Sequence, residues 1–406
     1  MNIFSKFVSD GEQCRGKAED TSLLLTLNKQ LDATGRMMHR WQGGMNMKKR
    51  SKLIFVFVHG TSGWGSYDER YRKMPYWGMR SGDLLAYLRG KGYECYAASV
   101  SPYGSAWDRA CELYAQLYGE RVDYGCRHSE RYGHERFGRD YSDCPLIRNP
   151  KDAMLVLIGH SFGGTTARMF AELMENGDEE ERAYTERNDI SRLFLGGLGY
   201  QVRAVVAVAS ALNGNAVFEM LADTGYDPGK VRVPWWSRLF GKMMSNQLQE
   251  GIDGRNLRDC GDYDMQIDQA FLMNERLGTL PDVFYFSVPC CFTRRKGNSY
   301  IPEKGMEPFF VMRSCQMGQY TGVTKGGIKI DQSWKRNDGR VSTISEIAPF
   351  NAPRKKLDPD HIRPGIWNVY PVFHGDHMSL QGGLIHKRDI RAFYERMLTM
   401  IAGVAE

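Results

Sequence analysis

No stretch of this sequence is apolar for the length a bilayer demands, so it holds no helix that crosses a membrane. Paired cysteine spacings are missing too. The nine cysteines are odd in number, form no C-x-x-C pair, and include the adjacent Cys290 and Cys291. That pattern argues for free, mostly buried thiols, with a single unassigned disulfide as the alternative. Strong charge of one sign is also absent. The formal charge is +6, and the basic clusters Lys48-Lys49-Arg50, Arg294-Arg295-Lys296 and Arg354-Lys355-Lys356 are short, scattered and free of interleaved aromatics, which excludes a nucleic-acid partner. Met1 to Asp10 lacks the basic start, apolar core and small-residue cleavage site of a secretory leader, and Leu23-Leu24-Leu25 is too short to supply one. As written the chain reads as cytoplasmic, or as a mature form whose signal has been removed.

What is present is an ordinary globular composition over 406 residues, 42% hydrophobic and 25% charged, long enough for a sizeable core. Residues 1–50 show only a weak helical pattern around Leu23 to Leu31 and read as an N-terminal extension packed on the core; residues 51–406 read as one large α/β domain. Lys52 to Val58, Tyr93 to Ser99, Met154 to Ile158, Gln201 to Ser210 and Val283 to Val288 are apolar runs of strand length. Helical patterns separate some of them, at Asp83 to Leu88 and Thr165 to Leu173, and close the chain at Arg388 to Ile401, as in a mostly parallel sheet covered on both faces.

The third of these runs leads into Gly159-His160-Ser161-Phe162-Gly163, a Gly-x-Ser-x-Gly turn followed by a helix. Five matching residues are a common accident, and a structural turn whose serine caps the helix would look the same. A buried strand before and a helix after make the context that of a nucleophile elbow, which pushes the Ser161 hydroxyl out of an α/β-hydrolase sheet. The first run ends in His59-Gly60-Thr61-Ser62-Gly63, where that fold places a loop over the nucleophile. The N–H of Thr61 and that of Phe162 are then the expected oxyanion donors.

Two regions interrupt the strand–helix rhythm. An insertion over about 104–145 carries Asp108 at a helix start and His128 and His134 in a polar segment; an Asp and two His could give three ligands to one metal, with a fourth from elsewhere. A cap over about 211–262 carries Trp235-Trp236, Leu239-Phe240 and Met243-Met244, which suit either a mobile lid or the core of a small cap. For the acid, Asp338 in Asn337-Asp338-Gly339 competes evenly with Asp331, since Asp-Gly by itself marks a turn. In this fold the base follows the acid, which leaves His361, His374, His377 and His386.

His59 to Gly65, Tyr76-Trp77-Gly78, Trp107 to Cys111, Val122 to Gly138, Gly159 to Met169, Asp338-Gly339 and Asp376-His377 together resemble the zinc-containing lipase family of thermophilic bacilli and staphylococci, a branch of the α/β-hydrolases. The resemblance spans most of residues 52–400 and fails in the first fifty residues and after Ala209. The residues Lys335 to Thr343 read as a turn followed by a short extended run, and the resemblance implies Asp338 there as the acid and His377 as the base, with His374 behind. It implies a structural zinc held by Asp108, His128, His134 and Asp264, the last in Asp262-Tyr263-Asp264-Met265, with Asp262 as the rival. It also implies that the family's calcium site is absent, because the positions two and seven residues after His377 are Ser379 and Leu384, and leucine offers a cation no ligand.

The expected function is a serine carboxylic ester hydrolase, lipase or esterase, acting on an ester or lipid through an acyl-enzyme. The shortened cap, the altered calcium positions and the missing leader favour an esterase. An acyltransferase, a zinc-dependent hydrolase or a non-catalytic binding protein on the same scaffold are the alternatives.

Overall fold

A computed structural model describes residues 52–227, 229, 231–237 and 256–405. The expected extension over 1–50 lies outside the described residues, as do Leu239, Phe240, Met243 and Met244 of the cap.

The strands that build the central sheet are β1 (Lys52–Val58), β2 (Glu94–Ala98), β3 (Ala153–His160), β4 (Val202–Val208), β5 (Phe284–Val288), β6 (Arg354–Lys356) and β7 (Trp367–Val369). All pair in parallel, in the spatial order β6-β7-β5-β4-β3-β1-β2. The longest strands sit in the middle and are buried on both faces, as their unbroken apolar runs require. Alternation along each strand then divides the core in two. Val56, Val58, Leu155 and Leu157 face Trp107, Phe162 and Phe170, whereas Phe55, Phe57, Val156 and Ile158 face Leu84, Leu88, Tyr394 and Leu398. Each fully buried side chain of this size contributes about 1.5–3 kcal/mol, so shifting β3 by one residue would invert both layers at once.

Among the described helices are α1 (Leu84–Gly90), α2 (Ala106–Tyr118), α3 (Phe162–Asn176), α4 (Pro308–Met317) and α5 (Arg391–Ala405). Local chemistry sets their ends. Asp83 accepts the N–H groups of Leu85 and Ala86 at the start of α1, Ser105 accepts that of Asp108 at the start of α2, and Gly119 ends α2 in a left-handed conformation. The last helix begins three residues later than its sequence pattern suggests, because the Arg388 N–H turns back to the Gly382 carbonyl.

After α2 the insertion forms an antiparallel pair, Arg121–Asp123 with Phe137–Asp140, enclosing a short helix at Cys126–Tyr132. In the cap, helix Ala216–Ala222 is capped by Asn215, and Trp235 stands 86% exposed. The run after Asp338, expected to be extended, turns at Ser342 into a helix at Thr343–Ile347. Thr343 Oγ1 ties that helix to the Cys290 carbonyl and Ser345 Oγ to the Gly214 carbonyl, interactions a strand there would forgo. All eight described cysteines are free thiols, six of them buried.

Candidate active site

The site gathers at the carboxyl ends of β1 and β3, where loops from distant parts of the chain converge. Ser161 adopts φ 56° and ψ −129°, a left-handed region that costs a serine about 1–3 kcal/mol. The surroundings enforce it. A methyl group on Gly159 would lie 2.2 Å from the Gly163 backbone, and one on Gly163 would lie 2.2 Å from the Val58 carbonyl. Only glycine lets strand, turn and helix approach this closely, and the Ser161 N–H is held by the Val208 carbonyl at 2.9 Å.

His377 and Asp338 meet Ser161 in one buried line. His377 Nε2 lies 2.9 Å from Ser161 Oγ, and His377 Nδ1 lies 2.5 Å from Asp338 Oδ2. The other Asp338 oxygen accepts the N–H groups of Arg340 and Val341 at 2.8 and 2.7 Å. Burial pushes the Asp338 pKa up, but the neighbouring His377 and these amides more than offset it and hold the carboxyl below its usual range. The rivals stand elsewhere: His374 is half exposed beside Glu303, His361 is exposed beside Asp358, and Asp331 caps the turn at Ser333.

The loop after β1 passes directly over Ser161, since a methyl on Gly60 would lie 2.6 Å from Ser161 Cβ. Among the described residues, neither the Thr61 N–H nor the Phe162 N–H donates to a protein acceptor. Two unpaired donors therefore flank Ser161, one beside Gly60 and one at the first position of α3.

Tyr76 and His160 brace this arrangement, and sequence reasoning gave neither a role. Burial drives the His160 pKa down to about 3, so its ring is neutral and carries one N–H. His160 Nε2 donates to the His377 carbonyl at 2.8 Å; Nδ1 accepts from Tyr76 Oη at 2.7 Å; and Tyr76 Oη accepts the Gly60 N–H at 3.0 Å. One continuous chain thus links the loop after β1 to the backbone of His377. The pattern Gly-His-Ser carried part of this signal, since a polar ring inside an apolar elbow needs partners.

The loop carrying His377 has a second anchor. Glu307, fully buried, accepts the N–H groups of Leu384, Ile385 and His386 at 2.8–3.0 Å, while its own N–H bonds Asp376 Oδ2 at 2.8 Å. Ser379 Oγ closes the same knot on Asp376 Oδ1. Asp376, beside His377 in sequence, holds the loop through these bonds.

A separate cluster forms where the insertion meets the cap. Asp108, His128, His134 and Asp259 each place one ligand atom within 4.8 Å of the others. Asp264 is not among them. Its Oδ2 accepts the Ala106 N–H at 2.7 Å, so it caps the helix that carries Asp108, and burial pushes its pKa up to about 7. Asp262 is likewise outside the cluster. The fourth position belongs to Asp259, which precedes the turn at Gly261–Asp264 and points back toward the histidines.

A tetrahedral zinc with ligands at 2.0–2.1 Å needs ligand atoms about 3.3 Å apart. Asp108 Oδ1 lies 3.2 Å from His128 Nε2, which lies 3.4 Å from Asp259 Oδ1; His134 Nε2 lies 3.2 Å from Asp259 Oδ2. His134 Nε2 is buried yet makes no hydrogen bond, as expected of an atom aimed at a shared point. Its Nδ1 meets the Glu135 carbonyl at 2.9 Å and fixes the ring, and Trp107 stacks on His128 at 5.0 Å. The cluster calls for positive charge: burial opposes the charged form of His128, yet Asp108 and Asp259 hold its pKa up at about 9. These residues could hold a metal ion.

A parallel sheet with a serine elbow, and a histidine and an aspartate delivered to it from later loops, defines an α/β-hydrolase fold. Residues 51–249 and 255–401 match the family described as the lipase-like, C-terminal domain, and the chain belongs to that family. It is 31% identical over 353 residues to Lipase 1 of Staphylococcus aureus, covering 80% of this chain and 50% of that protein. The chain therefore spans about half the length of the curated relatives it matches. Among solved structures, EstA from Clostridium botulinum superposes with a TM-score of 0.75 at 27% identity over 90% of both chains. The Staphylococcus hyicus lipase superposes with a TM-score of 0.72 at 28% identity, over 89% of this chain and 99% of that one. No described helix is long and apolar enough to cross a membrane.

Proposed function

We propose that this protein hydrolyses carboxylic esters through an acyl-enzyme on Ser161. The observation that carries the reading is the unbroken line from Ser161 Oγ through His377 to Asp338, at 2.9 and 2.5 Å, beside two unpaired backbone donors. His377 takes the serine proton as Ser161 attacks the ester carbonyl, then returns it to the leaving alcohol. Asp338 holds the imidazole with Nδ1 protonated and stabilises the imidazolium. The N–H groups of Thr61 and Phe162 stabilise the oxyanion, and water activated by His377 releases the acid. A relative and a structural neighbour named as lipases support ester hydrolysis.

The test is a series of nitrophenyl esters from acetate to palmitate, with active-site titration by a phosphonate that traps serine nucleophiles. One equivalent of label per chain and turnover of at least one ester are expected. A maximum at acetate or butyrate would identify an esterase with a small acyl pocket, and one at palmitate a lipase. Transfer exceeding hydrolysis when an alcohol is added would identify an acyltransferase, and no turnover with no label would refute the reading.

For the cluster, Asp108, His128, His134 and Asp259 would hold a zinc ion. All four positions being protein side chains, the ion would cross-link the insertion to the cap and leave no open site for a reacting water.

Calcium is expected to play no part, and the Glu307 knot supports this. A buried carboxylate already draws in the backbone donors of residues 384–386, so the His377 loop is held from within the chain. Chelation by EGTA should leave turnover unchanged, whereas Glu307→Leu, which removes the acceptor of those N–H groups, should lower kcat about ten-fold and reduce the melting temperature. Loss of activity in EGTA, restored by calcium, would refute this.

A further inference from the structure

Glu346 lies in the helix Thr343–Ile347, fully buried beside the acid of the triad. Its Oε2 accepts the Cys290 N–H at 2.6 Å. Its Oε1 is buried and receives no hydrogen bond from any donor among the described residues; what stands within hydrogen-bonding reach is Asp338. Asp338 has already committed both oxygens, one to His377 and one to the amides of Arg340 and Val341. Two ionised carboxylates in contact, both out of water, would repel strongly, and a buried oxygen without a donor would add its own desolvation cost. One proton between them removes both penalties. The bonded amides and His377 favour charge on Asp338, which leaves the proton on Glu346.

We propose that Glu346 is a positioning residue held as a neutral carboxylic acid, donating its proton to Asp338 so that the relay runs Glu346, Asp338, His377, Ser161. The proposal rests on the serine hydrolase reading of the same site. Glu346 exchanges no proton during turnover. It fixes the Asp338 carboxylate from the side opposite the imidazole and withdraws part of its charge. Burial and the Asp338 carboxylate both push the Glu346 pKa far up, in keeping with the neutral form. The other ionisable groups around the pair are the buried thiols of Cys290 and Cys291, the Asp376 carboxyl, and, beyond Asp338, the rings of His377 and His160. Burial drives the Cys290 thiol pKa well up and that of the His160 ring down, which leaves both neutral; the thiol donates to the Val288 carbonyl and the ring N–H to the His377 carbonyl, so neither supplies the missing donor. The helix itself is fixed by Thr343, Ser345 and a bond from Ser287 Oγ to the Ile347 carbonyl, so Glu346 cannot swing away without breaking these.

The experiment compares the parent with Glu346→Gln and Glu346→Leu by the pH profile of kcat/KM, kcat and KM separately, phosphonate labelling and melting temperature. Glutamine keeps a donor toward Asp338 and an acceptor toward Cys290, so its acid limb should coincide with the parent's. Leucine removes the donor, leaves Asp338 more basic and stabilises the protonated base, so the acid limb should move up by roughly half to one pH unit. Its kcat should fall about ten-fold with KM unchanged. An acid limb that moves down in Glu346→Gln would show that a negative charge had been removed, and would overturn the proposal. So would an unmoved limb in both variants. An infrared difference spectrum of parent minus Glu346→Gln supplies a readout that needs no turnover and no leucine variant. The carbonyl stretch of a protonated carboxylic acid is expected in the parent at neutral pH, and its absence would overturn the proposal. A parent that shows that band yet takes up no phosphonate would instead refute the hydrolase reading alone.

Discussion

Replacing Ser161 by alanine is expected to lower ester turnover by about 10⁵- to 10⁶-fold while leaving the melting temperature at or above that of the parent. The size follows from what is lost. Without Oγ the His377 ring, 2.9 Å away in the parent, has no nucleophile to deprotonate, and no acyl-enzyme forms. The two oxyanion donors and the binding surface remain, so a small rate above that of free water should survive. The stability expectation has a separate cause: the left-handed conformation is imposed by the surrounding backbone, not by the hydroxyl, and alanine is strained there no more than serine. Adding His377→Ala should cost little further, because serine and histidine act as one unit. Stopped-flow hydrolysis of a nitrophenyl ester, with phosphonate labelling for the fraction of competent sites, measures all of this. A variant that retains more than a hundredth of the parent rate would remove Ser161 from the mechanism.

The elbow was legible in the sequence because its constraints are local. Gly159 and Gly163 are required by contacts within a few residues or with the adjacent strand, and an unbroken apolar run before Ser161 can only be buried on both faces. The central strands were legible for the same reason. His377 and Asp338 needed more, since fold order narrowed the candidate base to four histidines and the Asp-Gly turn alone did not separate two acids; the choice of both rested on family resemblance. What sequence missed depends on side-chain direction across long separations. Asp259, Asp262 and Asp264 lie within six residues, and only the fold of the turn at Gly261–Asp264 decides which carboxylate faces His128 and which caps α2. The carboxylates of Glu307 and Glu346, buried at 0% exposure, looked in sequence like ordinary acidic positions. Each became a part of the site only once a loop or a helix brought backbone donors, or another carboxyl, against it.

That turn is also where the second large effect is expected. Asp259→Ala should abolish stoichiometric zinc binding and lower the melting temperature by about 5–10 °C, whereas Asp264→Asn should keep its zinc and cost only what a weakened helix cap costs, about 1 kcal/mol. The asymmetry arises because removing Asp259 takes a ligand from a buried cluster and leaves two imidazoles and one carboxylate facing each other, while Asp264 bonds a single helix N–H. The consequence for activity is indirect and can be traced. Arg109, next to Asp108 on α2, donates to the Ser101 carbonyl and Thr166 Oγ1 at 2.8 Å and to the carbonyl of His59, which leads into the oxyanion loop. A loosened α2 therefore loosens the loop that places the Thr61 donor. Chelated parent and Asp259→Ala should both retain most of their turnover well below their melting temperatures and lose it at lower temperatures than the zinc-loaded parent. Turnover abolished by chelation while the fold is intact would instead make the metal catalytic. Zinc retained in Asp259→Ala but lost in Asp264→Asn would return the fourth ligand to Asp264.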